Sequence, residues 1–551
     1  MFYWIIFMLH NLVNKIGSVE QSHFATVPHT NIPRSSFRRS HRHSTTINGN
    51  LLFPIYVDEV LPGDTFNMNV TAFGRLTTLI APIMDNVYID TFFFFVPNRL
   101  VWDNWQKFNG EQSNPGDSTD FLIPRLADPG DTGYASGSIY DYFGLPVLQN
   151  FTSESAKVNC LPFRAYNLIW NEWFRDQNLQ QSVAVSRADG PDSLDSFVLL
   201  PRNKSHDYFT SCLPWPQKGP AVDIPLGGLA PIVSDFTNPN VAVNYLGRTN
   251  NTDYTQPGFL NASVGDIGIY FETGPGVQSG RVGLDLTHIS TDLSQATAVT
   301  INALRQAFQI QKMYERDARG GTRYTEILRS HFGVVSPDSR LQRPEFLGGS
   351  HSVMNVSPVP QTSATGDGST PQANLSAFGI FHNVGRQSGF SKSFVEHGYI
   401  IGLINVRSDI TYQQGIHRLW TRQTRFDFYW PSFAHLGEQS VFNREIYLSG
   451  DSAVDNAVFG YQERYAEYRF YPSIKTGLYR SVVPDSLDFW HLSEKFESVP
   501  ALSNAFIKQN FPFGRVSAVP SEPTILVDIS FSGSVTRPMP IYSVPGFVDH
   551  F

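Results

Sequence analysis

The stretch Val87–Val96 (VYIDTFFFFV) decides the fold of this 551-residue chain. Its four consecutive phenylalanines leave no polar face, which predicts a strand covered on both sides in a sandwich core. Upstream, apolar and polar residues alternate over 53–58, the turn residues Leu61–Asp64 follow, and a second strand is predicted over 66–73. Residues 525–532 alternate with a period of two and predict a strand near the other end.

Strands therefore bracket the chain, as expected for an antiparallel sandwich whose first and last strands are neighbours. Helical spacing appears in few places. Ala165, Leu168, Ile169 and Trp173 predict one helix, and a second helical region runs over 301–317, ends at Gly320–Gly321 and resumes over 324–331. The absence of regularly alternating helices and strands argues against a parallel α/β sheet.

The composition is rich in aromatic residues and poor in charge. Aromatic residues make up 14% of the chain, with 43 Phe and 23 Tyr, whereas charged residues make up 16%. Soluble domains usually contain about 25% charged residues. A surface with so little charge is typical of a protein that contacts other protein subunits, although a large β core would also use the aromatic residues.

A basic arm is predicted over residues 22–49. No acidic residue occurs between Glu20 and Asp58, and arginine and histidine alternate there with serine and threonine. The arm lacks helical or strand periodicity, so we expect it to lie on another surface or to remain mobile. Because the net charge of the chain is −8, any contact with nucleic acid must be local. Contact between this arm and a neighbouring subunit is the alternative.

Residues 183–298 differ from their flanks. This block of 116 residues contains 12 Gly, 10 Pro, 11 acidic and 6 basic residues. It is far longer than an ordinary connection, so we predict an acidic surface insertion. The remaining segments are predicted to be an N-terminal segment 1–21, a first β part with one helix over 50–182, a helical segment over 299–345 and the last strands over 346–551.

Common catalytic and metal-binding signatures do not occur in the sequence. It contains no GxxxxGK[ST], GxGxxG, HExxH, GxSxG or CxxC motif. We therefore predict no enzyme activity, no cofactor and no metal site. Cys160 and Cys212 match no ligand spacing and are expected to be buried in a protein suited to a reducing cytoplasm. Phe2–Val13 is apolar but too short to span a bilayer, and it lacks the features of a signal peptide.

Several long motifs occur along the chain. They are Asn31–Phe37 (NIPRSSF), Pro54–Asn67 (PIYVDEVLPGDTFN), Phe93–Trp102 (FFFVPNRLVW), Leu161–Asn167 (LPFRAYN), Trp170–Asp176 (WNEWFRD), Glu315–Tyr324 (ERDARGGTRY), Arg343–Gly349 (RPEFLGG) and Phe459–Arg469 (FGYQERYAEYR). In this order they resemble the major capsid proteins of the gokushovirus branch of microviruses, and the resemblance covers residues 22–182 and 299–551.

This resemblance implies a mainly β, eight-stranded antiparallel jelly roll with long loop insertions and a few short helices. It also implies a T=1 icosahedral shell around circular single-stranded DNA in a bacterial virus. The insertion over 183–298 would form a projection at the three-fold axis and meet a receptor on the bacterial host. A small basic DNA-packaging protein, a DNA pilot protein and an internal scaffolding protein are the other implied partners.

Candidate residues follow from this interpretation. We expect the arm to face the interior, where cations can meet phosphates, through Arg34, Arg38, Arg39 and Arg42. We expect the tryptophans to contribute to subunit packing, with core packing as the alternative for each; they are Trp102, Trp105, Trp170 and Trp173. The protein is expected in the virion after assembly in the host cytoplasm.

Two other classes remain open from the sequence alone. A secreted carbohydrate-active enzyme would need an export signal and a cleft with tuned carboxylates, and neither is visible. A free receptor-binding module would be a soluble monomer or trimer instead of a closed particle.

Overall fold

The computed structural model describes residues 33–151, 157–222, 301–335, 342–363, 372, 374–383 and 388–542, together with the backbone of two short strands at 232–234 and 289–291. The chain divides into two compact units. The first comprises Met1–Pro216 and Gly320–Phe551, and the second comprises Gln217–Arg319. The predicted segment 1–21 and the start of the arm lie outside the described residues.

Strands dominate the first unit. In chain order they are β1 (Arg34–Arg38), β2 (His41–Ile47), β3 (Phe53–Val60), β4 (Thr65–Leu76), β5 (Val87–Pro97), β8 (Glu345–Pro360), β9 (Leu375–Asn383), β10 (Phe390–Ser393), β11 (Gly398–Ser408), β12 (Glu438–Phe442), β13 (Val458–Glu463) and β14 (Ile525–Pro538). The two strands described in the second unit are β6 (Ile232–Ser234) and β7 (Ile289–Thr291). The strands predicted over 53–58, 66–73 and 525–532 are present as β3, β4 and β14, and β1 and β2 precede them.

Helices are mostly short. They are α1 (Trp105–Phe108), α2 (Ile139–Tyr142), α3 (Leu161–Ile169), α4 (Ile301–Gly320), α5 (Tyr324–Phe332), α6 (Asn443–Ile446), α7 (Ser452–Asp455), α8 (Asn504–Ile507) and α9 (Phe513–Val516). A π-helical turn, Trp170–Phe174, continues α3. Single 3₁₀ turns occur at Asn98–Leu100, Leu194–Ser196, Arg418–Thr421, Arg425–Asp427, Pro431–Phe433, Ala466–Tyr468, Gly477–Tyr479 and Asp488–Trp490.

Eight strands form one antiparallel path in the order β1, β14, β4, β9, β8, β5, β11, β3. In addition, β2 pairs with β14, and β10 pairs with β4. The long strand β8 connects the two halves of this path, because its first part pairs with β5 and its last part with β9. Buried side chains of both halves meet in one hydrophobic core, the sandwich core. This mainly β architecture is consistent with the predicted jelly roll.

The phenylalanine strand β5 is covered on both faces, as predicted. Phe93 and Phe95 point into the sandwich core. Phe94 points the other way, into a second core that we call the helix-side core, where α3 and several loops cover the sheet. Gly402 of β11 lies opposite Phe93, and a Cβ atom there would lie 2.7 Å from the Phe93 ring. The glycine therefore makes room for the dense aromatic strand.

The helices follow the sequence pattern closely. The helix predicted around Ala165 is α3, which begins at Leu161 with a proline in its first turn and buries most of its side chains. The second predicted helical region is present as α4 and α5, and α5 ends at Gly333, whose φ of 70° suits a glycine.

The boundary of the second unit lies at Gln217, further along the chain than the predicted start of the insertion. Residues 183–216 belong to the first unit, because several of their apolar side chains are buried there. Phe197 and Leu200 lie in the helix-side core, and Tyr208 and Phe209 lie in a third cluster near β12 and β13. Composition alone could not reveal this, since glycine, proline and acidic residues are frequent on both sides of Gln217.

Candidate functional site

The described part of the basic arm forms an edge of the sheet. Strands β1 and β2 both pair with β14, and the register runs without a shift from Arg34 opposite Pro538 to Ile47 opposite Ile525. The sequence pattern had indicated irregular chain here. The strands form because the edge of β14 offers backbone donors and acceptors with which the arm can pair. The sequence of the arm alone does not indicate this pairing, because its partner lies far away along the chain.

This register separates the four candidate arginines. Residues paired across an antiparallel ladder share one face, so Arg34, Arg38 and Arg42 lie on the outward face, opposite Pro538, Ser534 and Ser530. All three arginines are exposed. They are spaced four residues apart, which corresponds to about 13 Å along a strand. They therefore form a row of cations, which we call the arginine row.

Arg39 has a different role. Its Nη2 atom lies 2.8 Å from Oδ1 and 2.9 Å from Oδ2 of Asp58, which belongs to β3 in the other half of the sandwich. Two neighbouring contacts reinforce this junction: the His43 Nδ1 atom lies 2.8 Å from the carbonyl oxygen of Ile55, and the His41 ring stacks on Tyr56 of β3 with ring centroids 5.8 Å apart. Arg39 thus helps to connect the two halves of the fold.

The outward face around the arginine row is polar and carries a positive charge. The strands β1, β2, β4 and β14 are fully described. Their outward face carries Arg75 in addition to the three arginines of the row, and its one acidic residue on these four strands is Asp528. The guanidinium of Arg75 lies 5.4 Å from the centroid of the Phe73 ring. Serine, threonine and asparagine occupy most of the remaining positions. Cations beside a half-buried aromatic ring at the surface suit a single-stranded polynucleotide.

Two of the four candidate tryptophans lie inside the chain's own core. Trp102 is fully buried and donates a hydrogen bond of 2.7 Å from Nε1 to Asp189. Trp170 is buried and donates one of 2.8 Å to the carbonyl oxygen of Pro201. Any effect of these two side chains on subunit contacts is therefore indirect, through the shape of the subunit.

The other two tryptophans lie nearer the surface. Trp105 is half-buried, with its ring 5.4 Å from that of His397. Trp173 is 38% exposed, and the Arg343 guanidinium lies 4.7 Å from its ring centroid. These two side chains can contact a neighbouring molecule directly.

A larger group of exposed aromatic residues was not predicted from the sequence. We call it the aromatic surface, and it comprises Trp420, Phe426, Phe428, Tyr429, Trp430, Tyr468, Phe470 and Tyr471. Five of these lie within residues 420–430, among 3₁₀ turns. The run FDFYW at 426–430 was the available signal, because four aromatic residues there follow neither a helical nor a strand pattern.

Buried polar contacts hold the aromatic surface in place. Arg422 lies 3.3 Å from the buried carboxylate of Glu467, and its guanidinium lies 4.3 Å from the Tyr468 ring centroid and 5.3 Å from that of Phe428. The Trp430 Nε1 atom donates a hydrogen bond of 2.8 Å to the carbonyl oxygen of Arg425. The surface is therefore a fixed part of the fold.

The described residues contain no group of three or more His, Cys, Asp or Glu side chains placed to hold a metal ion. Within the same residues, no helix has both the length and the apolar character needed to cross a membrane. The most prominent features of the first unit are therefore two surfaces, the arginine row and the aromatic surface.

Comparison with known proteins gives the family. The family described as "Capsid protein (F protein)" matches residues 25–547, so the chain belongs to this capsid protein family. The chain is 48% identical to Capsid protein VP1 of Bdellovibrio phage phiMH2K over 98% of its own length and 100% of that protein. It is 43% identical to Capsid protein VP1 of Chlamydia phage 1, covering 97% and 98% of the two chains.

A third relative extends the comparison. Capsid protein VP1 of Spiroplasma virus 4 is 38% identical, with 95% of this chain and 97% of the relative covered. All three relatives come from gokushovirus-type microviruses, which confirms the resemblance found in the sequence motifs. The chain is a capsid protein with a structural role in the virion.

Proposed function

We propose that this chain is the major capsid subunit of a microvirus and assembles into a T=1 icosahedral shell around a circular single-stranded DNA genome. The observation that carries the proposal is the match over nearly the whole chain to proteins named Capsid protein VP1. A closed shell needs no catalytic group, because symmetry repeats modest contacts over many copies.

The arginine row supports the proposed orientation of the subunit. Its three exposed arginines and Arg75 form a positive face in a chain whose net charge is −8. We infer that this face points to the interior of the shell, where it meets phosphates of the DNA. Arg39 belongs to the same sequence run but supports the fold through Asp58.

Other virion proteins are expected to take part in DNA packaging, DNA delivery and assembly. A few arginines per subunit neutralise only a few phosphates, so a small basic DNA-packaging protein is the expected partner inside the shell. A DNA pilot protein for delivery and an internal scaffolding protein during assembly complete the proposed set. Assembly would take place in the cytoplasm of the bacterial host.

The acidic insertion is proposed to face outward. Most of residues 183–298 lies outside the described residues, so the proposal rests on composition and on the resemblance. Within residues 217–298, which belong to the second unit, seven acidic residues against three basic ones would be repelled by DNA in the interior. We propose that this part of the block projects at the three-fold axis and contacts a receptor on the bacterial surface.

Electron microscopy of the purified chain, alone and with the candidate scaffolding protein, tests the central proposal. Round shells of uniform size are the expected result. Nucleic acid extracted from particles made in infected cells should be circular, sensitive to single-strand-specific nuclease and resistant to ribonuclease. Persistent absence of closed particles under all of these conditions would contradict the proposal and favour a free binding module.

A further inference from the structure

We propose that the aromatic surface binds a second copy of this chain and forms a principal contact between subunits. This inference rests on the proposed assembly into a shell and names the surface that would mediate it. The surface lies wholly within the first unit, on residues between 420 and 430 and between 468 and 471.

The aromatic surface exposes a large apolar area. Eight aromatic side chains that each leave roughly half of about 200 Å² uncovered present on the order of 800–900 Å². The largest apolar patch of a monomeric protein is usually about 300–600 Å². A standard interface buries about 800 Å² on each partner. The exposed aromatic area summed over these side chains is therefore comparable to one side of a standard interface.

The composition and the rigidity of the aromatic surface also suit a protein interface. Tryptophan, tyrosine, phenylalanine and arginine are the residues enriched at interface centres. Two such arginines are held over exposed rings, with Arg425 lying 4.8 Å from the Phe426 ring centroid and Arg422 contacting Tyr468. The backbone amide of Tyr429 also donates a hydrogen bond of 3.2 Å to the Tyr468 hydroxyl oxygen. A surface fixed in advance loses little conformational entropy on binding.

The charges favour a protein partner over a polynucleotide. Aromatic rings with arginines could also stack on DNA bases, but such sites need a positive groove. Here Arg422 is paired with Glu467, and Arg418 lies 3.6 Å from the buried carboxylate of Glu445. Asp427 lies two residues from Arg425 and offsets its charge. The surface therefore has little net charge to attract phosphates.

A cysteine placed at the surface would report its burial directly. Ser432 is exposed and follows Trp430 in the 3₁₀ turn Pro431–Phe433. Both native cysteines are buried, so a Ser432→Cys variant carries one accessible thiol. We expect a maleimide to label this thiol rapidly in the free full-length subunit and at least tenfold more slowly in closed shells. Shells dissociated in denaturant serve as the control for total thiol.

The outcomes separate the possible occupants. Protection in shells both with and without DNA supports the contact between copies. Protection only in DNA-filled shells would assign the surface to the polynucleotide and overturn the proposal. Full labelling in closed shells would also overturn it, while leaving the proposed shell function intact. Failure of the unmodified chain to form any shell would instead contradict the proposed function.

Substitution at the most exposed ring provides an independent test. Trp420 is 78% exposed, so Trp420→Glu should leave the subunit folded but reduce shell yield at least tenfold. Trp420→Phe is the matched variant and should restore assembly. Sedimentation velocity measures the shells, and circular dichroism checks the fold. Normal shell yield from a folded Trp420→Glu subunit would contradict the inference.

Discussion

Arg39 and Asp58 join the two halves of the sandwich through contacts of 2.8 and 2.9 Å, whereas the neighbouring Arg38 points outward with its Nε atom 3.2 Å from the hydroxyl of Ser40. Adjacent arginines therefore have opposite roles, because neighbouring residues of a strand lie on opposite faces of the sheet. Variants of the arginine row can be compared with a variant of Arg39 in the same segment.

Replacing the three arginines of the row by serine should weaken binding of single-stranded DNA. Each lost phosphate contact changes the slope of log affinity against log salt by about 0.7, so the triple variant should lose about 2 from the slope. Fluorescence anisotropy of a labelled oligonucleotide over a salt series measures this. Arg39→Ser is the matched control and should lower thermal stability while keeping the slope. An unchanged slope in the triple variant would exclude the row from DNA contact.

Trp102→Ala should destabilise the subunit by about 3–5 kcal/mol, because it leaves a large cavity in the helix-side core. The substitution also removes a hydrogen-bond donor to Asp189. Denaturant unfolding of the free subunit measures the change. Trp420→Ala is the exposed control and should stay within about 0.5 kcal/mol of the parent. Equal effects of the two variants would show that burial of Trp102 does not govern stability.

Trp105→Ala tests the predicted role of a half-buried tryptophan in assembly. We expect a folded subunit with a reduced yield of shells, since part of the ring is available to a neighbour. Sedimentation velocity measures the yield, and near-ultraviolet circular dichroism checks tertiary packing. A folded variant that forms shells at normal yield would remove Trp105 from the subunit contacts.

The free energy of unfolding should depend on pH through Asp90. Burial alone would raise the pKa of Asp90, but the charges and hydrogen bonds of Arg202, His351 and Arg407 hold the pKa below its usual value. Its carboxylate lies 2.9 Å from the Arg407 Nε atom and 2.5 Å from the His351 Nδ1 atom. Because the folded pKa is lower than the unfolded one, the stabilisation is present above the unfolded pKa of about 3.9 and is lost as pH falls through the folded pKa.

Asp90→Asn should therefore cost about 3–5 kcal/mol at neutral pH, since it leaves two arginines without their carboxylate. The difference from the parent should begin to shrink below about pH 4, where Asp90 of the unfolded parent becomes protonated, and should continue to shrink until the pH falls below the folded pKa. Thermal unfolding across a pH series measures both effects. A difference that is as large in acid as at neutral pH would show that the charge of Asp90 is not responsible.

Both native cysteines should be unreactive in the folded subunit. Burial raises the pKa of the Cys160 thiol to about 12, and it also raises the pKa of Cys212. At a pH of about 8 the reactive thiolate is therefore scarce, and access is blocked as well. A colorimetric thiol assay should detect both cysteines only after denaturation. Rapid reaction in the native subunit would contradict the predicted burial.

Local sequence patterns were sufficient to predict those elements whose burial depends only on their own residues. Four consecutive phenylalanines in β5 cannot present a polar face in any register, so burial on both sides could be predicted from Val87–Val96 alone. The helix around Ala165 was predictable from its helical spacing, which is also a local pattern. The ordered motifs were also sufficient to indicate the family, because a long series of matches in one order seldom arises by chance.

Tertiary structure decided what depends on distant partners. The four arginines form one composition run, and only the pairing of β1 and β2 with β14, nearly five hundred residues away, places three of them outward and Arg39 against Asp58. The exposure of the ring of Trp430 and the burial of that of Trp102 likewise depend on which segments cover them. Sequence alone thus determined the β class, the family and the core strand. Strand register and packing determined the functional surfaces, because the face that a side chain occupies is set by non-local contacts.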